Sequence, residues 1–349
     1  MIGISFYLND KNAKKRLIEA SECGVTRAFT SLHIPEETGD LAERAKELLH
    51  VARDCGISVY ADVSKHTSVH LGIESLMSLS SLGISGIRLD DGFSAEETLS
   101  LANEFYIAVN ASTLSKQEIE ALLSAGLHHH QLLAWHNFYP RPETGLEETF
   151  FQQQTDLFNE LRIPVCAYIP GEDEKRGPIY QGLPTREKDR NRCPFTSAVD
   201  LYGCGVAEVY IGDPCVGSSL LKRLVQYQES RIIPLRIRSP HIEGTYSVRP
   251  DVSRDVLRLV DTRSVKPVPP FHTVERRMGA ITMDNDGYGR YRGEVQIAKT
   301  NLPANANVNV IGYVIEEDHE LLSLVRPGQK LELIPVWREK RCIFKEADS

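Results

Sequence analysis

The sequence lacks a long uninterrupted hydrophobic run, and its first residues, MIGISFYLND, lack the basic stretch that precedes the apolar core of a secretory signal. Basic residues are also in deficit, since 40 Lys and Arg stand against 48 Asp and Glu, for a formal charge of -8. Because nucleic-acid phosphates are neutralised by clustered Lys and Arg, this balance argues against such a partner. We expect a cytoplasmic protein that contacts neither membranes nor nucleic acid.

Cysteine motifs and nucleotide-binding glycines are missing too. The seven cysteines are odd in number and form no C-x-x-C pair, which predicts neither a disulfide framework nor a structural zinc site. The first strand-like run is followed by SFYLND, without the G-x-G-x-x-G of dinucleotide folds. We therefore expect no metal and no cofactor.

A repeating pattern occupies the first two thirds of the chain. Short apolar or β-branched runs alternate with segments of helical spacing that often end in Gly, and strands separated by helices are parallel. Eight such units within about 230 residues match a (β/α)8 TIM barrel. The predicted strands cover residues 3-8, 27-34, 58-64, 86-92, 105-112, 129-138, 163-169 and 207-213.

The pattern changes after residue 230. Segments such as RYRGEVQIA and VNVIGYVI alternate apolar and polar residues, which predicts a smaller antiparallel β domain. One short helix is predicted near DVSRDVLRLV, and a hairpin turn at Asp284-Asn285-Asp286-Gly287. We therefore divide the chain into a barrel domain, 1-230, and a β domain, 231-349.

Carboxylates follow two neighbouring barrel strands. Active sites of TIM barrels lie at the C-terminal ends of the strands, where predicted strand three ends with Asp62 and Ser64 and predicted strand four with Asp90 and Asp91. A glycosidase needs one carboxyl group to protonate the leaving oxygen and another to stabilise or attack the sugar carbon. Asp62 and Asp90 are the predicted pair, although an Asp at such a position equally well caps a helix or binds loop amides.

Other polar residues follow the remaining strands. HNFYPRPETG is the densest polar segment, and Glu143 within it could serve as an acid or base. Arg186 lies on the long loop after strand seven, where barrels often bind phosphate. The residues predicted to bind substrate at this mouth are Tyr7, His33, Asn110, His136, Asn137, Tyr139, Arg141, Tyr168 and Arg186.

Several motifs resemble those of one bacterial family. HNFYPRPETGL and YGRYRGEVQI are long enough to be specific, and ADVS, G-x-R-L-D and VRPDVSRDV accompany them. Together they resemble the 6-phospho-N-acetylmuramidases over nearly the whole chain. The resemblance implies a TIM barrel with a cyclophilin-like β domain, and hydrolysis that releases N-acetylmuramic acid 6-phosphate from N-acetylglucosamine during peptidoglycan recycling.

The resemblance also assigns residues. A muramic acid phosphate carries a lactyl carboxylate and a phosphate, and a site for it needs at least two cationic groups. The candidates for that role are Arg141, Arg186, Arg238 and Arg249. Carried over motif by motif, the site residues are Asp62, Asp90, His136, Asn137, Tyr139, Arg141 and Glu143, with Arg249, Asp251, Arg254 and Asp255 in the β domain.

Two alternatives stay open from the sequence. His33, Asp62, Asp90 and His136 could instead bind a divalent cation in a sugar-phosphate isomerase or epimerase. A non-catalytic phosphosugar-binding protein would keep the pocket without the chemistry. The sequence also leaves open whether glycoside cleavage retains or inverts configuration, which carboxylate is the acid, and whether the chain forms a homo-oligomer.

Overall fold

The computed structural model describes residues 1-32, 41-89 and 92-336. The chain divides into two compact units, Met1–Gln228 and Glu229–Ser349. No helix within these described ranges is long and apolar enough to cross a membrane.

The first unit is a closed barrel of eight parallel strands, which confirms the predicted TIM barrel. Strands β1 and β8 pair with each other and close the barrel. The strands are β1 (Ile2–Ser5), β2 (Arg27–Ser31), β3 (Ser58–Val63), β4 (Ile84–Leu89), β5 (Tyr106–Asn110), β6 (Leu132–Trp135), β7 (Val165–Ile169) and β8 (Glu208–Ile211).

Helices follow the strands as the alternating pattern predicts. Ser94 and Ser115 begin two of them with reciprocal capping boxes, in which each Ser pairs with a Glu three residues later. The helices are α1 (Ala13–Glu22), α2 (Leu41–Asp54), α3 (Thr67–His70), α4 (Ser78–Ser81), α5 (Ala95–Leu101), α6 (Lys116–Ser124), α7 (Glu148–Glu160), α8 (Pro194–Gly203) and α9 (Ser218–Ser230).

Aromatic side chains fill the barrel interior. Trp135 and Tyr210 lie with ring centroids 4.4 Å apart, and Phe29, Tyr60 and Tyr168 pack around them. Two glycines make room for these rings: a Cβ at Gly3 would overlap the ring of Tyr210, and one at Gly86 the ring of Tyr60. These aromatic side chains lie beneath the polar residues at the C-terminal ends of the strands.

The second unit contains a seven-stranded sheet in the order β10-β15-β9-β14-β12-β13-β11. Its strands are β9 (Ile233–Arg238), β10 (Gly244–Ser247), β11 (Val256–Arg258), β12 (Ala280–Asp284), β13 (Val295–Ala298), β14 (Val308–Val314) and β15 (Lys330–Pro335), with one helix, α10 (His319–Leu324). The sheet is antiparallel, as expected, except that β9 and β15 are parallel.

Backbone hydrogen bonds join the two edge strands of this sheet. The amide of Arg249 donates to the carbonyl of Arg258, and that of Val260 to Ser247, each at 2.9 Å. The sheet thereby curls into a barrel. The prediction of a helix near DVSRDVLRLV is wrong, because that segment contains β11, one of the two edge strands that these hydrogen bonds join. The β12–β13 connection is longer than the predicted turn and contains a 3-10 helix, Asp286–Tyr291.

Candidate active site

The C-terminal ends of neighbouring barrel strands carry polar side chains that face inward. Side chains alternate along a strand, and so Asp62 lies above Tyr60 on β3 and Arg88 lies above Gly86 on β4. Asn110 ends β5, and a cavity of 320 Å³ is lined by all three of these polar residues together with Phe93 and Leu114. The structure therefore brings the predicted residues Asp62 and Asn110 to one cavity.

Arg88 connects this cavity to the loop after β6. Its Nη1 lies 3.2 Å from Oδ1 of Asp62, and its Nη2 donates to Oδ1 of Asn137. The side chains of Asp62 and Arg88 are each only 14% exposed, so water screens their ion pair weakly. The guanidinium fixes the orientation of the carboxylate.

Arg88 contacts Asp62 and Asn137, yet it is not among the residues predicted from the sequence. Within the motif G-x-R-L-D, only the Asp is predicted as a candidate. The period of two along a strand carries the missing signal, because Gly86, which faces the interior, places Arg88 on the same inward face.

Tyr168 lies at the same mouth, on β7. It is fully buried, with its ring centroid 5.1 Å from that of Phe138, and its hydroxyl makes no hydrogen bond within the described part of the chain. Burial raises the pKa of Tyr168 well above its ordinary value, and the charge of Asp62 adds to the rise. The hydroxyl stays protonated and is available as a hydrogen-bond donor.

The loop after β6 is held in place by an ion pair from a later loop. Glu187 accepts hydrogen bonds from the amides of Glu143 and Gly145, at 2.9 and 2.8 Å. Arg190 contacts Glu187 at 2.6 Å and donates to the carbonyls of Tyr139 and Arg141. The hydrogen bond from Arg190 lowers the pKa of Glu187 to about 2.

The loop held by Glu187 and Arg190 carries predicted site residues at its surface. Arg141 and Glu143 are exposed and Tyr139 is half-buried. The side chain of Arg141 makes no hydrogen bond or ion pair with any described residue, and Glu143 has a positive φ of 71° that is rare outside glycine. The loop is thus ordered by its backbone, while these two charged side chains are available to a ligand.

His136 points away from the barrel interior. Its ring lies 4.7 Å from that of Phe151 on α7, and its nitrogens contact the hydroxyls of Ser112 and Thr155 at 3.3 and 3.4 Å. Burial lowers the pKa of His136 to about 3, so the ring is neutral. The hydroxyl of Ser112 also accepts a hydrogen bond from the amide of Asn137 at 3.0 Å. His136 is therefore linked to Asn137 through Ser112.

Arg186 lies inside an ion-pair network. Its guanidinium is 1% exposed and binds Asp189 at 2.7 Å and Asp200 at 3.2 Å. Thr185, beside it, donates to the carbonyl of Asn137 and accepts from the amide of Tyr168. The structure therefore gives Arg186 two carboxylate partners, and it does not bring this residue to the cavity beside Asp62.

A second cavity, of 630 Å³, lies beside Tyr7. The guanidinium of Arg176 stands 3.9 Å over the ring of Tyr7, whose hydroxyl donates to the carbonyl of Gly212. Burial raises the pKa of Tyr7, and the hydroxyl stays protonated. Asp213 binds the amides of Gly171 and Arg176 at 2.9 Å and so shapes the loop that carries Arg176.

The remaining predicted residues lie elsewhere. Arg238 ends β9 and is exposed, and Arg249 makes a two-pronged ion pair with Asp251 at 2.7 and 3.0 Å, all within the second unit. Arg254 pairs with Asp255 in the same way. His33 and Asp90 lie outside the described residues. Within the described ranges, no three His, Cys, Asp or Glu side chains lie together as metal ligands.

Comparisons with known proteins cover almost the whole chain. Residues 2–226 match the family model "6-phospho-N-acetylmuramidase, N-terminal", and residues 232–334 match the model for the C-terminal part of the same family. No curated protein matches.

Two solved structures are similar over nearly their full length. One is a conserved protein of unknown function from Enterococcus faecalis, with 32% sequence identity and a TM-score of 0.83 over 99% of this chain and 100% of that one. The other is an uncharacterized B. cereus protein, with 24% identity and a TM-score of 0.80 over 95% of this chain and 99% of that one.

Proposed function

Because the chain belongs to the 6-phospho-N-acetylmuramidase family and is a glycosidase, we propose that Asp62 is one of the two carboxyl groups that cleave its substrate. The contact between Asp62 and Arg88 supports this assignment. An arginine that lies against a carboxylate stabilises its negative charge. Asp62 therefore suits the group that attacks or stabilises the cation-like sugar carbon better than the group that donates a proton.

The proton donor is then a second carboxyl group. Asp90 follows Arg88 by two residues, and Glu143 is exposed on the ordered loop after β6. Asp90 remains our first candidate, because neighbouring strands bring their C-terminal ends to one rim, and Glu143 is the second. Asn110, which lines the cavity beside Asp62, and Asn137, which Arg88 contacts, supply hydrogen bonds to the sugar.

We propose a disaccharide substrate, N-acetylmuramic acid 6-phosphate linked to N-acetylglucosamine, met in the cytoplasm during recycling of the cell wall. The family name describes a sugar with a phosphate on carbon 6. Arg141, which no described residue binds, and Arg176, held over Tyr7, are the cationic groups of the barrel unit best placed for the two anions. Arg238 and Arg249 remain further candidates.

The test is the conversion of this disaccharide, followed by mass spectrometry of the two sugars. Asp62→Asn keeps the shape but removes the charge, and we expect kcat to fall by about 10³-fold or more while the dissociation constant changes by less than about 10-fold. Asp54→Asn, at the exposed end of α2, is the matched control. Turnover of Asp62→Asn at the parent rate would refute the assignment, and an inactive parent would refute the substrate.

A further inference from the structure

The second unit contains a cavity of 350 Å³ that the proposed glycosidase reaction does not use. We call it the sheet pocket and define it by Arg258, Arg276, Asp284, Tyr288, Tyr291 and Glu294. Asp284 pairs with Val308. Side chains alternate along β11, β12 and β13, and the register of these strands therefore places the polar residues of the pocket on one face of the sheet. Its volume lies within the range of small-molecule sites, about 300–1,000 Å³.

One of the two acidic residues in the sheet pocket is satisfied by arginines. Glu294 receives Arg258 at 2.8 Å on one carboxylate oxygen and Arg263 at 2.8 Å on the other. These contacts lower the pKa of Glu294 against the effect of its burial. Glu294 is therefore a fixed, neutralised wall of the pocket.

Asp284, the other acidic residue of the sheet pocket, differs from Glu294. Its side chain lines the pocket and is only 5% exposed, yet its carboxylate receives no hydrogen bond or ion pair from any described residue. Burial, with the nearby charge of Glu294, raises the pKa of Asp284 to about 6. A buried carboxylate without donors is costly, and a ligand that donates hydrogen bonds would remove that cost.

Arg276 provides the complementary group. Its Nε donates to the carbonyl of Pro303 at 2.9 Å, and its backbone pairs with Leu302, so the side chain is anchored. Its two terminal nitrogens make no hydrogen bond or ion pair with the described part of the chain, and Arg276 lines the same cavity as Asp284. The pocket thus offers a strong acceptor and a strong donor at once.

Tyr288 gives the pocket an aromatic wall. The residue is 38% exposed, and its hydroxyl accepts a hydrogen bond from Asn305 at 2.7 Å, which restrains the ring. Tyr291, on the same 3-10 helix, is restrained by Arg263 and Arg290, each 4.8 Å from its ring centroid. Restrained aromatic surface beside polar groups is suited to the apolar face of a sugar ring.

The charges of the sheet pocket exclude most other ligands. An anion that binds Arg276 would also meet the carboxylate of Asp284, and a cation that binds Asp284 would meet the guanidinium of Arg276. A hydroxyl group both donates and accepts, and so it satisfies Asp284 and Arg276 together. We propose that the sheet pocket binds an uncharged pyranose, with hydroxyls between Asp284 and Arg276 and one ring face on Tyr288. This binding site is additional to the barrel mouth and does not depend on cleavage there.

Titrations of the full chain with N-acetylglucosamine and with methyl β-glucoside, followed by saturation-transfer NMR, test this proposal. We expect binding, and we expect Asp284→Asn and Arg276→Gln each to raise the dissociation constant by about 10-fold or more, since each removes a charged hydrogen-bonding group. Asp62→Asn should leave this dissociation constant unchanged. Hydrogen exchange should show protection of residues 284-296 by the sugar.

Three results would overturn the proposal. The first is no binding of either sugar to the parent. The second is unchanged binding in both Asp284→Asn and Arg276→Gln, which would place the sugar outside the sheet pocket. The third is competition by inorganic phosphate or by ethanolamine, the charged probes. Thermal unfolding of each variant identifies any variant that fails to fold. We expect Arg276→Gln to disturb folding least, because Arg276 is only half-buried.

Discussion

At the scale of single residues, one guanidinium at the barrel mouth contacts two polar partners. Arg88 reaches Asp62 with one terminal nitrogen and Asn137 with the other. A lysine keeps the charge but has a single nitrogen at the end of a flexible chain, so it cannot hold both partners. We therefore propose Arg88 as a positioning residue for Asp62.

We expect Arg88→Lys to lower kcat by about 10- to 100-fold, because a misoriented carboxylate loses transition-state stabilisation. KM should change much less than kcat, since the arginines proposed to bind the substrate's anions are other residues. Steady-state kinetics on the phosphorylated disaccharide measures this split, with Arg53→Lys on the exposed face of α2 as the control. Equal kcat for Arg88→Lys and the parent would mean that Arg88 only fills space.

Residue candidates differ in how well sequence reasoning could find them. Asp62 and Asn110 follow strands and could be predicted, because strand ends in a TIM barrel meet at one rim. Arg186 instead lies on the long loop after strand seven, and its ion pairs with Asp189 and Asp200 come together only in the tertiary fold. His136 likewise lies at a strand end, and its outward orientation follows from the register of β6, which sequence alone fixes poorly.

At the scale of elements, the loop after β6 owes its shape to another loop. Glu187 binds the amides of Glu143 and Gly145, and Arg190 binds carbonyls of the same loop. These are backbone contacts, so the loop can be held while its own side chains remain available. The sequence shows that the two loops are rich in charge, but it does not show which carboxylate supports which amide.

Glu187→Gln should loosen this loop without unfolding the barrel. The new amide nitrogen cannot accept from an N–H group, so one of the two backbone contacts is lost. We expect hydrogen exchange in residues 141-146 to accelerate by about 10-fold, exchange in β6 to stay unchanged, and kcat/KM to fall by about 10-fold. The control is Glu160→Gln at the exposed end of α7. Faster exchange with unchanged kcat/KM would show that the loop plays no part in catalysis.

Strands and helices were predictable to different degrees in the two units. All eight barrel strands lie within or overlap the predicted runs, because each βα unit is a local pattern. The second unit depends on distant pairings: β9 pairs with β15 across almost the whole unit, and β11 closes the sheet against the chain after β10. The sequence DVSRDVLRLV, which contains Val256–Arg258, predicts a helix. Val256–Arg258 is a strand because it pairs with neighbouring strands that are distant in sequence.

At the scale of the whole molecule, His136 in the barrel unit and Asp284 in the second unit are buried ionisable groups whose effects on stability respond to pH in opposite directions. His136, in the barrel unit, has a folded pKa of about 3 against an ordinary 6.5. The unfolded chain therefore binds a proton first as pH falls, and the barrel unit loses stability below pH 6.5. Asp284, in the second unit, has a folded pKa of about 6 against 3.8. Here the folded state holds the proton more tightly, and stability is lost as pH rises from 4 to 6.

We therefore expect two variants to alter the pH dependence in opposite directions. His136→Gln should reduce the loss of barrel stability between pH 7.5 and pH 5 by about 2 kcal/mol. Asp284→Asn should stabilise the second unit by at most about 3 kcal/mol at pH 7.5, and by less at pH 5, because the aspartic acid is already largely protonated there. Urea denaturation followed at 222 nm reports the barrel unit, which contains nearly all of the described helices, and hydrogen exchange in β12 and β13 reports the second. If the parent and both variants have parallel pH profiles of stability, the burial of both groups is contradicted. If Asp284→Asn gains stability but loses sugar binding, the carboxylate is buried at a cost in stability because it binds the sugar.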